Sequence, residues 1–433
     1  MRAETNSADQ LEAVPRTISR ADSPAVHSVR IAPHLIDNDA AKVVHRLTRY
    51  GHQAYLVGGS VRDLLLGRQP KDFDVGTSAR PGQVRRLFRN CRLIGRRFRL
   101  AHILFGGRNI IEVATFRKKG DEPPDPGEEK APGVGNEGEG EGESELPAED
   151  ADLLIRSDNA FGGPQDDAIR RDFTINALFY DIENRRVIDY VDGLSDLRRG
   201  VIRTIGAPDV RFREDPVRIL RAIRFSARLN MGIEPEVYEA MVDQCPQLSR
   251  SAGARLLEEM LRLLRSGAAH RCIYLAREIG ALHLLFPQLE PLLAVGPAES
   301  DRLWDRLAAI DRCYREQRLP GDAVLLTALL YEALRDYGAR VPDPRLGQRE
   351  LFEQLTAKYS LSRKLKDRIQ RTFAAQDRLH GRLPRSLEQR DYYTDALHLL
   401  ELCCASEGLA LPDWAGARVA ALSSRAREPR ARH

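Results

Sequence analysis

The spacing of apolar and polar residues divides the chain into a mixed α/β first part and an almost wholly helical second part. From Ile36 to Tyr50 the apolar positions recur at helical spacing and predict one amphipathic helix. Short apolar runs follow and predict strands at AYLVGG, KDFDVGT, LAHILF and NIIEVATF. Between them, SVRDLLLG and PGQVRRLFRN predict short helices, with Ser60 as the N-cap of the first and Gly67 at its end. After about residue 205 helical patterns dominate, so the predicted fold class is α+β.

Three segments lack a periodic pattern. Residues 1–34 are polar and uneven, and we predict that they form a disordered leader. Residues 118–155 are rich in glycine, glutamate and proline, and predict a disordered insertion that interrupts a domain. Residues 421–433 predict a basic disordered tail.

The net charge of +4 conceals an uneven distribution. Between Asp121 and Asp152 thirteen acidic residues stand against one lysine, which leaves 66 basic and 50 acidic residues on the rest of the chain. Such an excess is typical of a surface that binds a polyanion, because each Lys or Arg that neutralises a phosphate releases a counterion. On charge alone, solvated helix faces explain the excess equally well.

Several other classes of protein find no support. No apolar run approaches the length of a membrane span, and the first residues lack the layout of a signal peptide, so we expect a cytoplasmic protein. The six cysteines form no CxxC pair, which argues against a structural zinc site. The histidines form neither an HExxH arrangement nor an adjacent His-Asp pair, so a metalloprotease or a His/Asp phosphohydrolase is not indicated.

Asp72 and Asp74 are the first candidates for chemistry. They are separated by one residue in a predicted strand, so both carboxylates point to one face. Hard oxygen ligands at this spacing suit Mg²⁺, which shares its remaining positions with water and substrate phosphates. A pair of such ions can activate an attacking hydroxyl and stabilise a leaving pyrophosphate. Taken alone, the DxD triplet is weak evidence, because most such triplets are solvated turns or strand ends.

A glycine turn precedes this acidic strand. In LVGGSVRDLL, Gly58 and Gly59 lie between a strand and a helix N-terminus, where backbone N–H groups can approach a phosphate. Arg62, one turn into the helix, can add a charge-assisted contact. The GKS/T ending of a P-loop is missing, and a Gly-Gly pair without context is more often a simple turn.

Two further motifs narrow the interpretation. They are IRRDFTINALFYD, which ends at Asp181, and RFREDPVRILRAIRFSARL, which ends at Leu229. With the glycine turn and the acidic strand they make the chain resemble the bacterial poly(A) polymerase and class II CCA-adding enzyme family over roughly residues 40–265. The resemblance implies a template-independent nucleotidyltransferase in which Asp72 and Asp74 are catalytic and hold two Mg²⁺ ions, or Mn²⁺ in their place.

The resemblance also implies a nucleotidyltransferase-type mixed α/β head followed by an all-α neck, body and tail. The predicted segments are the leader at 1–34, the catalytic head at 35–205, the base-recognising neck at 206–265, an RNA-binding body and tail at 266–420, and the basic tail at 421–433. From Lys358 to Arg390 ten Lys or Arg stand against three Asp or Glu, which suits RNA-backbone binding in the body.

The neck motif has a chemical rationale for base recognition. If it is helical, Arg218, Arg221 and Arg224 form a basic stripe with Arg228 near its end, although a solvated face would explain the stripe alone. A carboxylate beside a guanidinium matches the edge of adenine or cytosine. Asp215 would accept from the exocyclic amine and Arg218 would donate to the adjacent ring nitrogen, a pattern that uracil and guanine oppose.

The family resemblance assigns further roles. Asp215 and Arg218 recognise the incoming base, and Glu214 either completes the family's acidic pair or caps a helix. Asp172 matches a position that the family treats as catalytic, with Glu112 on a later strand as its competitor, while an N-cap of the predicted helix TINALFYD is the structural alternative for Asp172. The residues implied to hold the nucleotide are Gly58, Gly59, Arg62, Arg171, Asp215, Arg218, Arg221 and Arg224.

The stretch from Ile94 to Gly106 bears on the product. Its Arg-Phe-Arg-Leu-Ala-His run is similar to the polymerase branch, whereas CCA-adding enzymes usually show a Gly-Thr pair at its centre. Its basic residues Arg96, Arg97 and Arg99 are expected to meet a primer strand. We therefore predict a poly(A) polymerase that acts on ATP and RNA 3′ ends and needs neither DNA nor a membrane. A CCA-adding tRNA nucleotidyltransferase and a non-catalytic RNA-binding protein on the same scaffold are the alternatives.

Overall fold

The computed structural model describes residues 24–29, 31–95, 99–106, 109–118, 160–294, 297–379 and 385–427. The predicted leader up to residue 23, the acidic insertion after residue 118, Arg96, Arg97 and the chain after residue 427 lie outside the described residues. The described chain divides into two compact units. The sheet unit comprises residues up to 118, 160–197 and 204–207, and the helical unit comprises residues 198–203 and those from 208 onward.

The sheet unit is built on one eight-stranded sheet. Its strands are β1 Ala25–Ser28, β2 Ala54–Val57, β3 Asp74–Thr77, β4 Cys91–Ile94, β5 Leu100–Leu104, β6 Ile110–Thr115, β7 Leu178–Asp181 and β8 Arg186–Asp189. They lie in the order β1-β8-β7-β2-β3-β6-β5-β4. β2 is antiparallel to both β3 and β7, and β3 is parallel to β6. The two strands that border the glycine turn and the acidic triplet are therefore adjacent at the centre of the sheet.

Short helices flank this sheet. They are α1 Asn38–Arg49, α2 Gly59–Leu65, α3 Pro81–Leu87, α4 Pro164–Arg170 and α5 Gly193–Arg199. α1 confirms the predicted amphipathic helix, since its apolar stripe is buried and Asp37 caps it by accepting from the backbone of Asp39 and Ala40 at 2.8 and 2.9 Å. Gly67, in a left-handed conformation with φ 68°, follows α2 as predicted.

Aromatic rings pack against the central strands. Tyr55 of β2 lies 6.2 Å from both Phe116 and Phe179, measured between ring centroids. Gly76 of β3 allows this packing, because a Cβ there would lie 2.7 Å from the ring of Phe116. The sequence Asp-Val-Gly-Thr thus places a carboxylate at the start of β3 and a close ring contact two residues later.

The helical unit contains a two-stranded parallel pair and fifteen helices among the described residues. These elements are β9 Val201–Ile202, β10 Gly232–Ile233, α6 Pro208–Glu214, α7 Arg218–Leu229, α8 Pro235–Gln244, α9 Gly253–Leu264, α10 Ala269–Glu278, α11 Ala281–Leu285, α12 Glu290–Ala294, α13 Pro297–Arg315, α14 Asp322–Ala339, α15 Pro344–Tyr359, α16 Arg363–Ala374, α17 Gln376–Leu379, α18 Arg385–Glu388, α19 Tyr393–Glu407 and α20 Asp413–Arg427. α14 is buried along most of its length because α13, α15, α16 and α19 pack around it. Across the described ranges, every helix is too short or too polar to cross a membrane.

Two predictions of disorder are wrong in part. Residues Ala25–Ser28 of the predicted leader form β1, which pairs antiparallel with β8. Residues 421–427 of the predicted tail belong to α20. β1 is a largely exposed edge strand, so it lacks the apolar alternation from which a strand can be predicted.

Two local predictions near the motifs are also wrong. Ser60 lies inside α2 and donates its hydroxyl to the carbonyl of Val57 at 3.0 Å, while Gly58 occupies the N-cap position without a side-chain cap. TINALFYD is not a helix, since a 3₁₀ turn at Thr174–Asn176 leads directly into β7. Leu178–Asp181 is completely buried between β2 and β8, so long-range pairing overrides the local helical pattern.

Candidate active site

The glycine turn joins β2 to α2. Gly58 has φ 70° and ψ −132°, a conformation that residues with a Cβ rarely adopt. A Cβ at Gly58 would also lie 3.0 Å from Nη1 of Arg171. The turn therefore needs glycine for its backbone geometry, and it brings the Arg171 guanidinium close to the N-terminus of α2.

The acidic triplet lies next to this turn. Asp74 is the first residue of β3 and pairs with Val57, the residue immediately before Gly58. Asp72 precedes the strand and is exposed, whereas Phe73 between them is buried, so the alternation expected of the triplet is present. The predicted strand is shorter than expected, because only the second aspartate belongs to it.

Like charges surround Asp74. Its pKa is raised to about 6, first by burial and then by the negative charges of Glu112 and Asp72, while the Arg171 guanidinium opposes the shift. Glu112 is directly beside Asp74, since the two residues are partners in the parallel pairing of β3 and β6. Three carboxylates and one partly compensating arginine thus form an anionic cluster, which a cation would stabilise.

Glu112 has a second neighbour across the sheet. His102 of β5 is its antiparallel partner, and Nε2 of His102 lies 3.3 Å from Oε1 of Glu112. The side chain of Glu112 is nearly half exposed, at 48%, so it remains accessible to a ligand on the face that carries Asp74. Arg99, the described member of the predicted primer-contacting set, is exposed just before β5.

Arg62 and Asp172 lie behind the glycine turn in a buried network. The guanidinium of Arg62 donates to Oδ1 of Asp63 at 2.7 Å and to Oδ1 of Asn176 at 2.6 Å. The amide of Asn176 donates to Oδ1 of Asp172 at 3.1 Å, and the backbone N–H of Phe173 donates to the same oxygen at 2.8 Å. Arg62 and Asp172 are thereby fixed by hydrogen bonds to their neighbours. The charges that shift the pKa of Asp74 come instead from Glu112, Arg171 and Asp72.

Arg171 is oriented by a carboxylate from the preceding helix. Its guanidinium donates to Oδ2 of Asp167 at 2.8 Å and to the carbonyl of Asn176 at 3.0 Å, and lies 5.4 Å from the ring centroid of Phe179. Burial would raise the pKa of Asp167, but the guanidiniums of Arg171 and Arg170 hold it below its usual value. Asp167 therefore stays ionised and keeps Arg171 beside the glycine turn.

The predicted base-recognising residues belong to the helical unit. Asp215 lies between α6 and α7, and its Oδ2 accepts from Arg255 at 2.6 Å. Its Oδ1 is buried and has no hydrogen-bond partner in the described part of the chain. Arg218 lies close by, with Nε 3.9 Å from Oδ2 of Asp215. One acceptor oxygen is thus left for a further donor.

The arginines of the basic stripe do not form a solvated face, which was the structural alternative for them. Arg218 is only 6% exposed, and its Nη1 donates to Glu214 at 3.1 Å and to the carbonyl of Arg211 at 3.0 Å. Glu214 also accepts from Nη1 of Arg211 at 2.8 Å. Glu214 therefore does not cap α7, whose N-cap is Val217 without a side-chain bond; its carboxylate accepts from two buried guanidiniums.

The remaining arginines of α7 are partly buried. The guanidiniums of Arg221 and Arg224 lie 6.0 and 5.1 Å from the ring centroid of Phe225. Nη2 of Arg224 approaches Oε2 of Glu259 at 3.8 Å, and Arg228 is also partly buried. The predicted site residues thus form two groups, one in each unit.

Several residues that position the candidate site residues were not predicted. Asn176, Asp167 and Arg255 position Arg62, Arg171 and Asp215 respectively. Asp167 and Arg171 are four residues apart at the end of a helix, a spacing that could have indicated their pairing. Arg255 is forty residues from Asp215 and has no local sequence signal.

The donor set is compatible with a divalent cation that keeps part of its water shell. In the described ranges, no group of three His, Cys, Asp or Glu converges on one point as a complete set of metal ligands. Two closely spaced carboxylates, one of which, Asp74, has a raised pKa, nevertheless suit Mg²⁺, which uses one or two protein carboxylates together with substrate phosphates.

Two family models match parts of the chain. Residues 54–203 match the family model described as "Poly A polymerase head domain". Residues 230–293 match the one described as "Probable RNA and SrmB- binding site of polymerase A". The first match contains both the glycine turn and the carboxylate cluster, and the second begins after the motif that carries Asp215 and Arg218.

The individual relatives are named for two activities, poly(A) polymerase and CCA addition. Poly(A) polymerase I of Salmonella typhi is 41% identical over 345 residues, covering 75% of this chain and 70% of that protein. The CCA-adding enzyme of Geobacillus stearothermophilus is 33% identical over 242 residues, covering 56% and 53%. Among solved structures, the Bacillus stearothermophilus CCA-adding enzyme in complex with CTP superposes with a TM-score of 0.59 and 26% identity, covering 89% of this chain and 82% of that one.

Proposed function

The chain belongs to the bacterial poly(A) polymerase family of nucleotidyltransferases, as its motifs indicated, and on this premise we propose that it adds AMP from ATP to RNA 3′ ends without a template. The carboxylate cluster of Asp72, Asp74 and Glu112 beside the glycine turn is the observation that carries the proposal. A protein that only binds RNA has no use for three like charges, since they disfavour contact with phosphate. The reaction links the primer 3′-hydroxyl to the α-phosphate of ATP and releases pyrophosphate.

Asp72 and Asp74 would hold the metal, as two Mg²⁺ ions or Mn²⁺ in their place. When bound, such ions neutralise the carboxylates and stabilise negative charge on the transferred phosphoryl group. Asp74 must be ionised to act as a ligand, so its pKa of about 6 still allows binding at neutral pH. Glu112, which is adjacent to Asp74, is a better third carboxylate than Asp172, whose Oδ1 accepts from Asn176 and Phe173.

The glycine turn would bind the triphosphate. At the N-terminus of α2 backbone N–H groups are not used within the helix, and the glycines let a phosphate approach them. Arg171, held beside Gly58 by Asp167, would add a charge-assisted hydrogen bond. Arg62 and Asp172 would act indirectly by fixing the turn through Asn176.

Asp215 and Arg218 would select the base. The buried Oδ1 of Asp215 is an acceptor without a partner in the described chain, and an exocyclic amine of adenine or cytosine supplies a donor. Arg218 is buried beside it and would donate to the ring nitrogen, with Arg221 and Arg224 holding the rest of the nucleotide. The segments 35–205, 206–265 and 266–420 would accordingly act as catalytic head, base-recognising neck, and RNA-binding body and tail, in the cytoplasm where ATP and RNA are found.

Addition of A tails is favoured over CCA addition. The polymerase from Salmonella typhi is more similar, over a larger share of this chain, than the CCA-adding enzyme from Geobacillus stearothermophilus. We expect long A tails on an unstructured RNA when ATP and CTP are both supplied. A halt after three nucleotides on a tRNA that lacks its 3′ end, with no extension of the unstructured RNA, would instead establish the CCA-adding alternative.

The catalytic assignment is tested by Asp72→Ala and Asp74→Ala, with incorporation of labelled AMP as the measurement. We expect a loss of about a thousandfold or more, because stabilisation by metal ions is worth several kcal/mol. Glu183→Gln is the matched control, since Glu183 is an exposed carboxylate of the sheet unit and should leave the rate unchanged. Full activity in either Ala variant would refute the mechanism, and absence of incorporation by the intact protein would favour the non-catalytic RNA-binding alternative.

A further inference from the structure

Helix α10 carries an exposed aromatic residue on its outer face. Tyr274 is 47% exposed, whereas Ala269, Cys272, Ile273 and Ala276 are buried on the opposite face. The apolar face of α10 thus packs into the core of the helical unit. Tyr274 therefore lies outside the apolar face with which α10 packs.

Two more rings complete an aromatic surface with Tyr274. Trp304 of α13 lies 6.1 Å from Tyr274 and 5.5 Å from His270 between ring centroids, with interplanar angles of 62° and 64°. His270 and Tyr274 are four residues apart on α10, so they lie on one face of the helix. We call His270, Tyr274 and Trp304 the aromatic platform.

Basic residues lie on both sides of Tyr274 along the helix. Arg271 and Arg277, three residues before and after it, are exposed. Arg271 donates to the side-chain oxygen of Asn230 at 2.5 Å and Arg277 to the carbonyl of Leu293 at 3.4 Å, both neutral acceptors. Glu278 is the single acidic residue of α10, and Asp311 of α13 is buried at the start of the helix, where it accepts from the backbone N–H groups of Ala269 and His270. The exposed charges along α10 are therefore two arginines and one glutamate.

The two acidic residues nearest to Trp304 in the chain, Asp301 and Asp305, line a cavity next to α19. The cavity has a volume of about 450 Å³ and is also lined by Ser406 and Glu407 of α19. These carboxylates therefore face α19, while the ring of Trp304 contacts α10. The aromatic platform is consequently flanked by arginines on its α10 side.

We propose that the aromatic platform binds single-stranded RNA by stacking bases on Tyr274 and Trp304, with Arg271 and Arg277 contacting the phosphates. Proteins that bind single strands combine aromatic rings with a basic track in this way, because every base offers a π-face. The family match described as an RNA-binding site includes α10 but ends before Trp304. The proposal rests on the proposed function, since RNA is the substrate there, and it adds which residues hold the strand and by what contact.

Intrinsic fluorescence offers a direct test, because the chain contains only two tryptophans, Trp304 and Trp414. In the full-length Trp414→Phe variant all tryptophan emission comes from Trp304. With ATP omitted and a chelator present, we expect an oligoadenylate of about twelve nucleotides to quench this emission. Inorganic polyphosphate, which has charge but no bases, should not quench it. Absence of quenching by a bound oligoadenylate, or equal quenching by polyphosphate, would overturn the proposal.

Substitutions at Tyr274 supply the second measurement. Tyr274→Ala in the Trp414→Phe background should raise the Kd for the oligoadenylate about tenfold, the usual loss for one stacked base, and Tyr274→Phe should restore it. Tyr50→Ala is the matched control, since Tyr50 is 58% exposed in the sheet unit and also has an arginine, Arg46, 5.9 Å from its ring. An unchanged Kd in Tyr274→Ala would contradict the proposal and leave a protein partner as the candidate occupant of this surface.

The two proposals fail in different ways. If the aromatic platform does not bind RNA but the chain still incorporates AMP, the inference is wrong and the proposed function stands. If oligoadenylate quenches Trp304 but no AMP is incorporated, the chain binds RNA without the proposed activity.

Discussion

In the sheet unit, Asp72, Asp74 and Glu112 gather three like charges around the start of β3, whereas in the helical unit Glu214 lies between two guanidiniums. In the first cluster the pKa of Asp74 is raised to about 6, first by burial and then by the negative charge of Glu112. The second has opposite charges at 2.8 and 3.1 Å and is nearly completely buried. We call the second the balanced cluster, because each of its charges contacts an opposite charge of the protein, and the first the unbalanced cluster, because its three carboxylates have a single arginine, Arg171, to oppose them.

This difference separates structural from functional charge. A buried ion pair whose partners are all supplied by the chain is costly to break, because removing one partner leaves an uncompensated buried charge. An unbalanced cluster reduces stability and attracts an ion of opposite sign. Asp215 lies between these cases, since Oδ2 is paired with Arg255 while Oδ1 is buried without a protein partner in the described residues.

The largest expected effect on stability is at the balanced cluster. Glu214→Gln would leave Arg211 and Arg218 buried without their common carboxylate, and we expect a loss of about 3–5 kcal/mol in the free energy of unfolding. Denaturant titration measures it. The control is Glu353→Gln, which breaks an exposed pair with Arg349 and should cost less than about 1 kcal/mol. Equal stability of the two variants would show that charge balance does not stabilise α6 and α7.

Removing a charge from the unbalanced cluster should increase the free energy of unfolding, not decrease it. The folded-state pKa of Asp74 is raised, so ionising it above about pH 4 disfavours the folded state, and this cost is fully present above pH 6. Without metal, Asp74→Asn should therefore be more stable than the parent chain at pH 7, by about 3 kcal/mol at most, with the difference disappearing near pH 4. Thermal unfolding in a chelator measures this.

Magnesium supplies the control for that experiment. It should raise the Tm of the parent chain at pH 7 and have a much smaller effect on Asp74→Asn, because the variant lacks one ligand. If Asp74→Asn is less stable than the parent at pH 7 without metal, the cluster is structural and the comparison fails.

The sequence allowed much of the sheet unit to be predicted, for physical reasons visible in individual residues. α1 has an unbroken apolar stripe, from which a helix can be predicted. The Gly-Gly pair indicates a turn, and Gly58 indeed has a positive φ that residues with a Cβ rarely adopt. TINALFYD misled because its local spacing fits a helix, while burial between β2 and β8 makes Leu178–Asp181 a strand. β1 could not be predicted, since its pairing with β8 connects residues far apart in the chain.

The site divides in the same way. Asp72, Asp74 and the glycines are close in the chain, so their proximity follows from local geometry. The burial of Arg218 was hidden because a stripe of arginines looks like a solvated face until Glu214 and the carbonyl of Arg211 are placed. The platform partner of Tyr274 was equally hidden, because Trp304 reaches it only through packing of α10 against α13.

A substitution at Asp215, whose carboxylate has one oxygen without a hydrogen-bond partner in the described residues, should change which base is selected. Asp215→Asn replaces an acceptor by a group that can also donate, so guanine, whose edge opposes that of adenine, becomes better tolerated. We expect the ratio of kcat/KM for ATP to that for GTP to fall about tenfold, with little change in stability. Steady-state kinetics with each nucleotide measures this ratio. An unchanged ratio would remove Asp215 from base selection.

The smallest effect is expected at Arg255, which positions Asp215 from the surface. Its side chain is 55% exposed, so its bond to Oδ2 of Asp215 should contribute less than about 1 kcal/mol. Arg255→Ala should raise KM for ATP about twofold to threefold without changing kcat, and Arg255→Lys should restore most of the loss. Because an exposed pair is screened by salt, the difference between Arg255→Ala and the parent should shrink as KCl approaches about 1 M. A loss of ATP selectivity in Arg255→Ala larger than that in Asp215→Asn would show that the arginine itself contacts the base, and Asp215 would then be the residue that positions it.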